Sequence, residues 1–307
     1  MKLKTIVIGV DFSEAAHAAA QWTARYFAPD GDVRLVHVLD IDHPPRFLAG
    51  RYPPRERLFE GLRPGVEKRL DALAATLISR GDASRRIETE TRSGRPSDEL
   101  VEAACGASAD LIAIGEHGQR PGIWRILGST AERLVRISPV PVLLARLMVR
   151  SKPSRILVPI DDSETATTAL SWGLFLARRF GADITVLHVL SLTLLAHLHL
   201  VSPPTNNRVE HEVEESARTW IRGLLDQLGG SAEISIVCGE PRYEIFAAAK
   251  RLDAELIVVG SRGSGSVART VLGSVTTAVL RGVSCPVLIV GGPESVVTSN
   301  ASIASSA

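Results

Sequence analysis

Two glycine spacings carry the chemistry this sequence can offer. Gly260-Ser261-Arg262-Gly263 is followed, after nine residues, by Gly273-Ser274-Val275-Thr276 opening a helical stretch. Gly115-Glu116-His117-Gly118 is followed, again after nine residues, by Gly128-Ser129-Thr130. A glycine where a strand ends lets backbone N–H groups approach an anion without obstruction by a Cβ. A Gly-Ser pair at a helix N-terminus adds free amides, the positive end of the helix dipole and a hydroxyl. That chemistry is a phosphate cradle. Neither spacing is a Walker A loop, which needs Gly-Lys-Ser/Thr, nor the Gly-x-Gly-x-x-Gly fingerprint, which belongs after a first strand.

Several of these residues also have plain structural readings. Ser129 with Glu132 has the form of a capping box, and Asp11 or Asp161 would serve as a helix N-cap. His37 and His188 sit in apolar strands and read as satisfied core residues. His197, His199 and His211 suggest a metal only weakly, because no second ligand pair accompanies them. Cys105, Cys238 and Cys285 read as small hydrophobes, and Trp22, Trp124, Trp172 and Trp220 as helix packing in a chain with only 5% aromatic residues.

The elements that must position the cradles come in two copies. Ile8-Gly9-Val10-Asp11-Phe12-Ser13 aligns with Val158-Pro159-Ile160-Asp161-Asp162-Ser163 at an offset of 150, and Leu35–Leu39 with Val186–Leu190 at 151. Gly94-Arg95-Pro96 aligns with Gly239-Glu240-Pro241, and the offset of 145 then holds through the glycine spacings to Pro141–Leu144 and Pro286–Ile289. The second copy is thus shorter by six residues between its second strand and its Gly-x-Pro turn. Apolar runs rich in Val and Ile predict strands at about 3–10, 32–39, 86–92, 110–115 and 141–146, and at 154–160, 183–190, 232–237, 255–260 and 286–290. Helix-period stretches at Glu14–Phe27, Pro64–Arg80, Ser97–Gly106 and Ser129–Ile137 lie between those of the first copy. The alternation predicts an α/β chain of two tandem, doubly wound, five-stranded parallel-sheet domains, with ligands at the carboxyl ends of the strands. We expect domains at 1–150 and 151–292 and a disordered tail at 293–307.

Length and charge agree with this organisation and exclude other classes. A chain of 307 residues is about two domains' worth. A formal charge of +1 supplies no global field for a nucleic acid or an anionic membrane. The longest apolar stretch, around Val186–Val201, is interrupted by three histidines and is too short to span a bilayer. Three cysteines without a close pair predict reduced thiols and a cytoplasmic location. Two segments escape the pattern: a Pro- and Arg-rich connection at 40–63 and an apolar, His-containing connection at 191–206.

Taken together, the spacing Gly-x2-Gly-x9-Gly-Ser/Thr, the Asp after the first strand, the Gly-x-Pro turn and the final Pro-Val-Leu resemble the nucleotide-binding branch of the universal stress proteins. The resemblance covers nearly all of residues 1–292 and occurs twice in register. It implies a Rossmann-like, adenine-nucleotide α-hydrolase-like fold with strand order 3-2-1-4-5 in each copy. It implies ATP as ligand, with Mg or Mn as a companion ion. In the second copy the site falls on Pro159, Ile160, Asp161, Val189, Val259, Gly260, Arg262, Gly263, Gly273, Ser274, Val275 and Thr276. In the first it falls on Gly9, Val10, Asp11, Val38, Ile114, Gly115, His117, Gly118, Gly128, Ser129 and Thr130. Asp11 or Asp161 would contact ribose, the backbone of Val38 or Val189 the adenine edge, and the glycines the phosphates. Ser261 fits the family's preference for a small hydroxylated residue, whereas Glu116 sets a carboxylate near the phosphate path unless His117, Arg120 or Arg125 compensates. We therefore expect the second copy to hold the better ATP site. No catalytic base or nucleophile dyad accompanies either cradle, so fast hydrolysis is not expected. Two other readings stay open: a scaffold that has lost one or both sites, its final strands pairing the copies as a pseudo-dimer or pairing further chains, and an adenylate-forming enzyme of the wider fold group.

Overall fold

The computed structural model describes residues 2–41, 54–78, 86–116, 128–147, 149, 151–191, 208–263 and 272–291. The chain divides into two compact units, one within Met1–Ser151 and one within Lys152–Pro293. The first runs β1 (Thr5–Gly9), α1 (Glu14–Tyr26), β2 (Asp32–Leu39), α2 (Arg55–Leu77), β3 (Ile87–Ser93), α3 (Pro96–Gly106), β4 (Leu111–Gly115), α4 (Ser129–Ile137) and β5 (Val142–Ala145). The second runs β6 (Arg155–Ile160), α5 (Glu164–Phe180), β7 (Asp183–Ser191), α6 (Arg208–Gln227), β8 (Glu233–Gly239), α7 (Pro241–Arg251), β9 (Leu256–Gly260), α8 (Ser274–Gly282) and β10 (Val287–Val290). All ten expected strands are present.

Within the first unit the parallel strands lie in the order β3-β2-β1-β4-β5. Within the second they lie in the order β8-β7-β6-β9-β10, again all parallel. Both are the expected 3-2-1-4-5. The reason is legible in the strands themselves. Ile6, Val7 and Ile8 in β1 and Leu157 and Val158 in β6 are fully buried, so each sheet must be covered by helices on both faces, as only right-handed parallel crossovers provide. In each unit the chain winds outward one way from the central strand, then crosses to its other side. The crevice at that reversal opens between the carboxyl ends of β1 and β4 and of β6 and β9.

The expected helix at Pro64–Arg80 is corrected. The proline reads in sequence as a helix start, but α2 begins nine residues earlier at Arg55, and Pro64 lies inside it. A proline inside a helix forfeits one N–H donor, and the turns on either side carry the helix past it. The first turn is anchored by Arg55, whose guanidinium donates to Ser93 O at 2.6 Å and to Ser93 Oγ at 3.0 Å. Residues 54–63 of the supposed connection are therefore a helix with its cap. Residues 42–53, the connection at 192–206 and the tail lie outside the described residues.

Candidate functional site

The loop after β9 is held by its carbonyls. Thr276 Oγ1 donates to Gly260 O at 2.7 Å, the Gly273 amide to Ser261 O at 3.0 Å, and Thr165 Oγ1 to Arg262 O at 2.5 Å. The Ser261 amide is used as well, donating to Val290 O at 2.8 Å. In a trans peptide the C=O and the following N–H point in opposite directions. Drawing Arg262 O toward α5 therefore turns the Gly263 amide away from α5. That amide has no acceptor among the described residues, and it lies near Gly273, where a Cβ would sit 3.5 Å from Gly263 N.

The neighbouring helix contributes more donors. Gly273 caps α8 without a side-chain hydrogen bond, and the first intrahelical bond is Thr277 N–H to Gly273 O at 2.9 Å. The amides of Ser274, Val275 and Thr276 are thus the unsatisfied donors of a first turn, at the positive end of the helix dipole.

Asp161, just past β6, borders the same crevice. Its Oδ1 accepts the Ser163 amide at 3.2 Å and the Ser163 hydroxyl at 2.5 Å. Its Oδ2 is the atom that a Cβ on Gly263 would meet at 2.8 Å. The N-cap reading of the aspartates is corrected: Ser13 and Ser163 are the N-caps of α1 and α5, and each Asp instead accepts from the serine two residues on. The capping-box reading of Ser129 also fails, because Gly128 is the N-cap of α4 and Glu132 pairs with Arg136.

All twelve residues proposed for the second copy line one cleft of about 790 Å³, with Asp161 between the α8 end and the β7 end. At the β7 end, His188 Nδ1 lies 3.0 Å from Ile160 O and must donate to it. Trp220, from α6, crosses the His188 ring edge-on at 5.5 Å between centroids and forms the far wall with Val213 and Ile245. Trp22 and Trp172 are buried in helix packing as expected; Trp220 also packs from its helix, against His188, and lines the cleft as well. Trp124, His197 and His199 lie outside the described residues; among the described residues no group of three or more His, Cys, Asp or Glu side chains could hold a metal ion.

The first copy brings Gly9, Val10, Asp11, Val38, Ile114, Gly115, Gly128, Ser129 and Thr130 to the equivalent edge; His117, Gly118, Arg120 and Arg125 lie outside the described residues. The Val10 amide donates to Val36 O at 2.8 Å, so the backbone of Val36 faces β1. Strand parity then turns the backbone of Val38 the same way, past the end of β1. Three differences separate the copies. Thr165 and Thr276 are replaced by Ala15 and Ala131, so neither donor to the loop carbonyls exists. Glu116, at the position of Ser261, is paired to the buried Arg146 at 2.8 Å and accepts the Leu147 amide at 3.2 Å. Arg146, at the end of β5, thus supplies a counter-charge; the basic residues expected to do so, His117, Arg120 and Arg125, lie outside the described residues. Finally, Phe12 adopts φ 61° and stacks on His37 at 4.6 Å, with the Arg69 guanidinium 3.9 Å from its ring centre. The two alanines are visible when the repeats are aligned position by position, whereas the Glu116–Arg146 pair and the Phe12 stack depend on folding.

Burial pushes the His37 imidazole below its ordinary pKa, against the Val10 carbonyl and Asp11, which favour the charged form; Arg69 adds to the lowering. The folded state then binds a proton less readily than the unfolded one, so stability falls as pH drops below about 6.5. Urea unfolding of the first unit should show a lower midpoint near pH 5.5 than near pH 7.5. His37→Gln should shrink that difference, and an unchanged difference would count against this assignment.

Comparison with known proteins agrees with this architecture. The model of the universal stress protein family matches twice, at residues 2–146 and 153–291. A universal stress protein of Mycolicibacterium smegmatis is 27% identical over 302 residues, covering 93% of this chain and 96% of the relative. Universal stress protein Rv2005c of Mycobacterium tuberculosis is 27% identical over 298 residues, covering 92% and 96%. Among solved structures, a universal stress protein from Archaeoglobus fulgidus superposes with a TM-score of 0.70 at 22% identity, over 95% of this chain and 99% of that one, a likeness of fold. No helix among the described residues is long and apolar enough to cross a membrane. With two family matches laid end to end over two units of the same strand order, the chain belongs to the universal stress protein family as a tandem member.

Proposed function

We propose that the second unit binds an adenine nucleotide, with ATP as the favoured ligand, and that the protein acts as a nucleotide-binding stress-response module rather than as a fast hydrolase. The observation that carries this reading is the convergence on one cleft of the Gly263 amide, the α8 first-turn amides and Asp161. The donors suit phosphates, the carboxylate suits ribose hydroxyls, and the apolar end beyond Val189 suits a base. The cleft lining carries two carboxylates, Asp161 and Asp162, and Asp161 is engaged by Ser163, so a Mg or Mn ion would travel with the nucleotide phosphates.

The first unit's substitutions favour its serving as a structural copy. The expected stoichiometry is therefore one nucleotide per chain. Freshly purified protein, heat-denatured, should release close to one equivalent of adenine nucleotide on chromatography, or take one up on titration. No release together with no uptake would overturn the reading, and two equivalents would overturn the ranking of the copies.

Trp220 provides a further check on the base end. Stacking on an aromatic ring contributes about 1–3 kcal/mol per base. Trp220→Leu should weaken ATP by about tenfold, and tryptophan emission in the parent should be quenched on titration. Equal affinity in the variant would place the base elsewhere.

A further inference from the structure

We infer that Thr165 and Thr276 are positioning residues that aim the glycine loop of the second unit at the nucleotide phosphates, a device that the first unit lacks. The inference rests on the nucleotide reading above and adds to it residues that orient the phosphate donors without being among them. Both residues line the cleft but are nearly inaccessible, at 4% and 3%, so their hydroxyls have little surface to offer a ligand. Each donates instead to a loop carbonyl from a different side: Thr165 from α5 to Arg262 O, and Thr276 from α8 to Gly260 O.

The two bonds bracket the loop. Gly260 O belongs to the first peptide after β9, and Arg262 O to the peptide whose N–H is that of Gly263. Holding the second carbonyl against α5 fixes the plane of that peptide, and with it the direction of the Gly263 amide. Holding the first ties the loop to the helix that supplies the other phosphate donors, so loop and α8 first turn keep one mutual geometry. Ser163 Oγ, which donates to Asp161, lies 3.1 Å from Thr165 Oγ1, so the residue that holds the carboxylate packs against the one that holds the loop. Donors fixed before the ligand arrives lose little freedom on binding, which is where their affinity advantage comes from.

The first unit shows the fold without the device. Ala15 and Ala131 stand at the two positions, and the same five-stranded order forms around them. Loss of the hydroxyls is therefore compatible with folding, and what it removes is the hold on the loop.

The test uses the full chain with Thr165→Ala, Thr276→Ala and the double variant, each paired with its Ser counterpart, titrated calorimetrically with ATP and with adenosine. The expected result is ATP binding weaker by about tenfold in each alanine variant and by more in the double, with adenosine affinity changed by less than about twofold. The Ser variants, which keep the hydroxyl, should recover ATP binding. Unchanged ATP affinity in the double variant would overturn the inference while leaving the nucleotide reading intact. Equal weakening of ATP and adenosine, or no recovery with Ser, would also overturn it, since the threonines would then only support packing. A parent chain that binds neither ligand would overturn the nucleotide reading itself.

Discussion

Gly263→Val is expected to remove nucleotide from the second unit, weakening ATP by more than about a hundredfold. A Cβ at this position would lie 2.8 Å from Asp161 Oδ2, closer than carbon and oxygen tolerate. Asp161 has little room to yield, because its other oxygen holds both the amide and the hydroxyl of Ser163. The added isopropyl group would therefore displace either the carboxylate that faces ribose or the loop amide that faces phosphate. Sheet and helices would be left alone, so the melting temperature should change little. The measurement is retained nucleotide after purification together with calorimetric titration. Retention equal to that of the parent chain would mean that the nucleotide occupies a different site.

The largest stability effect is expected in the other unit, at Glu116. Its carboxylate meets Arg146, only 6% exposed, at 2.8 Å, and its second oxygen accepts the Leu147 amide. Glu116→Gln would set an amide NH2 or a weaker carbonyl acceptor against a buried guanidinium. Breaking a buried pair from one side costs about 3 kcal/mol or more, because the charge left behind keeps its desolvation penalty. For a domain of this size that corresponds to a fall of roughly 6–12 °C in the melting midpoint of the first unit. The second unit dispenses with the pair, carrying Ser261 and Gly291 at the matching positions. Combining Glu116→Ser with Arg146→Gly should therefore cost less than the two single changes added together. Additive costs in that cycle would show that the pair is not coupled. ATP uptake by the second unit should be unaffected throughout.

How far the sequence alone reached can be stated residue by residue. Apolar runs with no polar face specified the central parallel strands, while β3 and β8 at the ends of the order are half-exposed and partly polar, and the shared spacing of Asp, Gly-x-Pro and paired glycines specified that the fold is made twice. Both follow from local chemistry: a strand buried on both faces has no polar positions to spare, and a glycine is needed wherever backbone must approach a ligand or another chain segment. The cleft residues were legible for the same reason, since donors presented by backbone depend on loop spacing more than on side-chain identity. Pro64 misled because a proline suits a helix start better than a helix interior, yet one lost N–H does not stop a helix anchored at Arg55. Tertiary structure decided what has no local signature. Thr165 reaches Arg262 across 97 residues, Glu116 finds Arg146 across 30, and Trp220 arrives at the cleft only because α6 packs beside β7. A hydroxyl, a carboxylate or an indole acquires its role from the group that folding brings against it, and that group is distant in sequence.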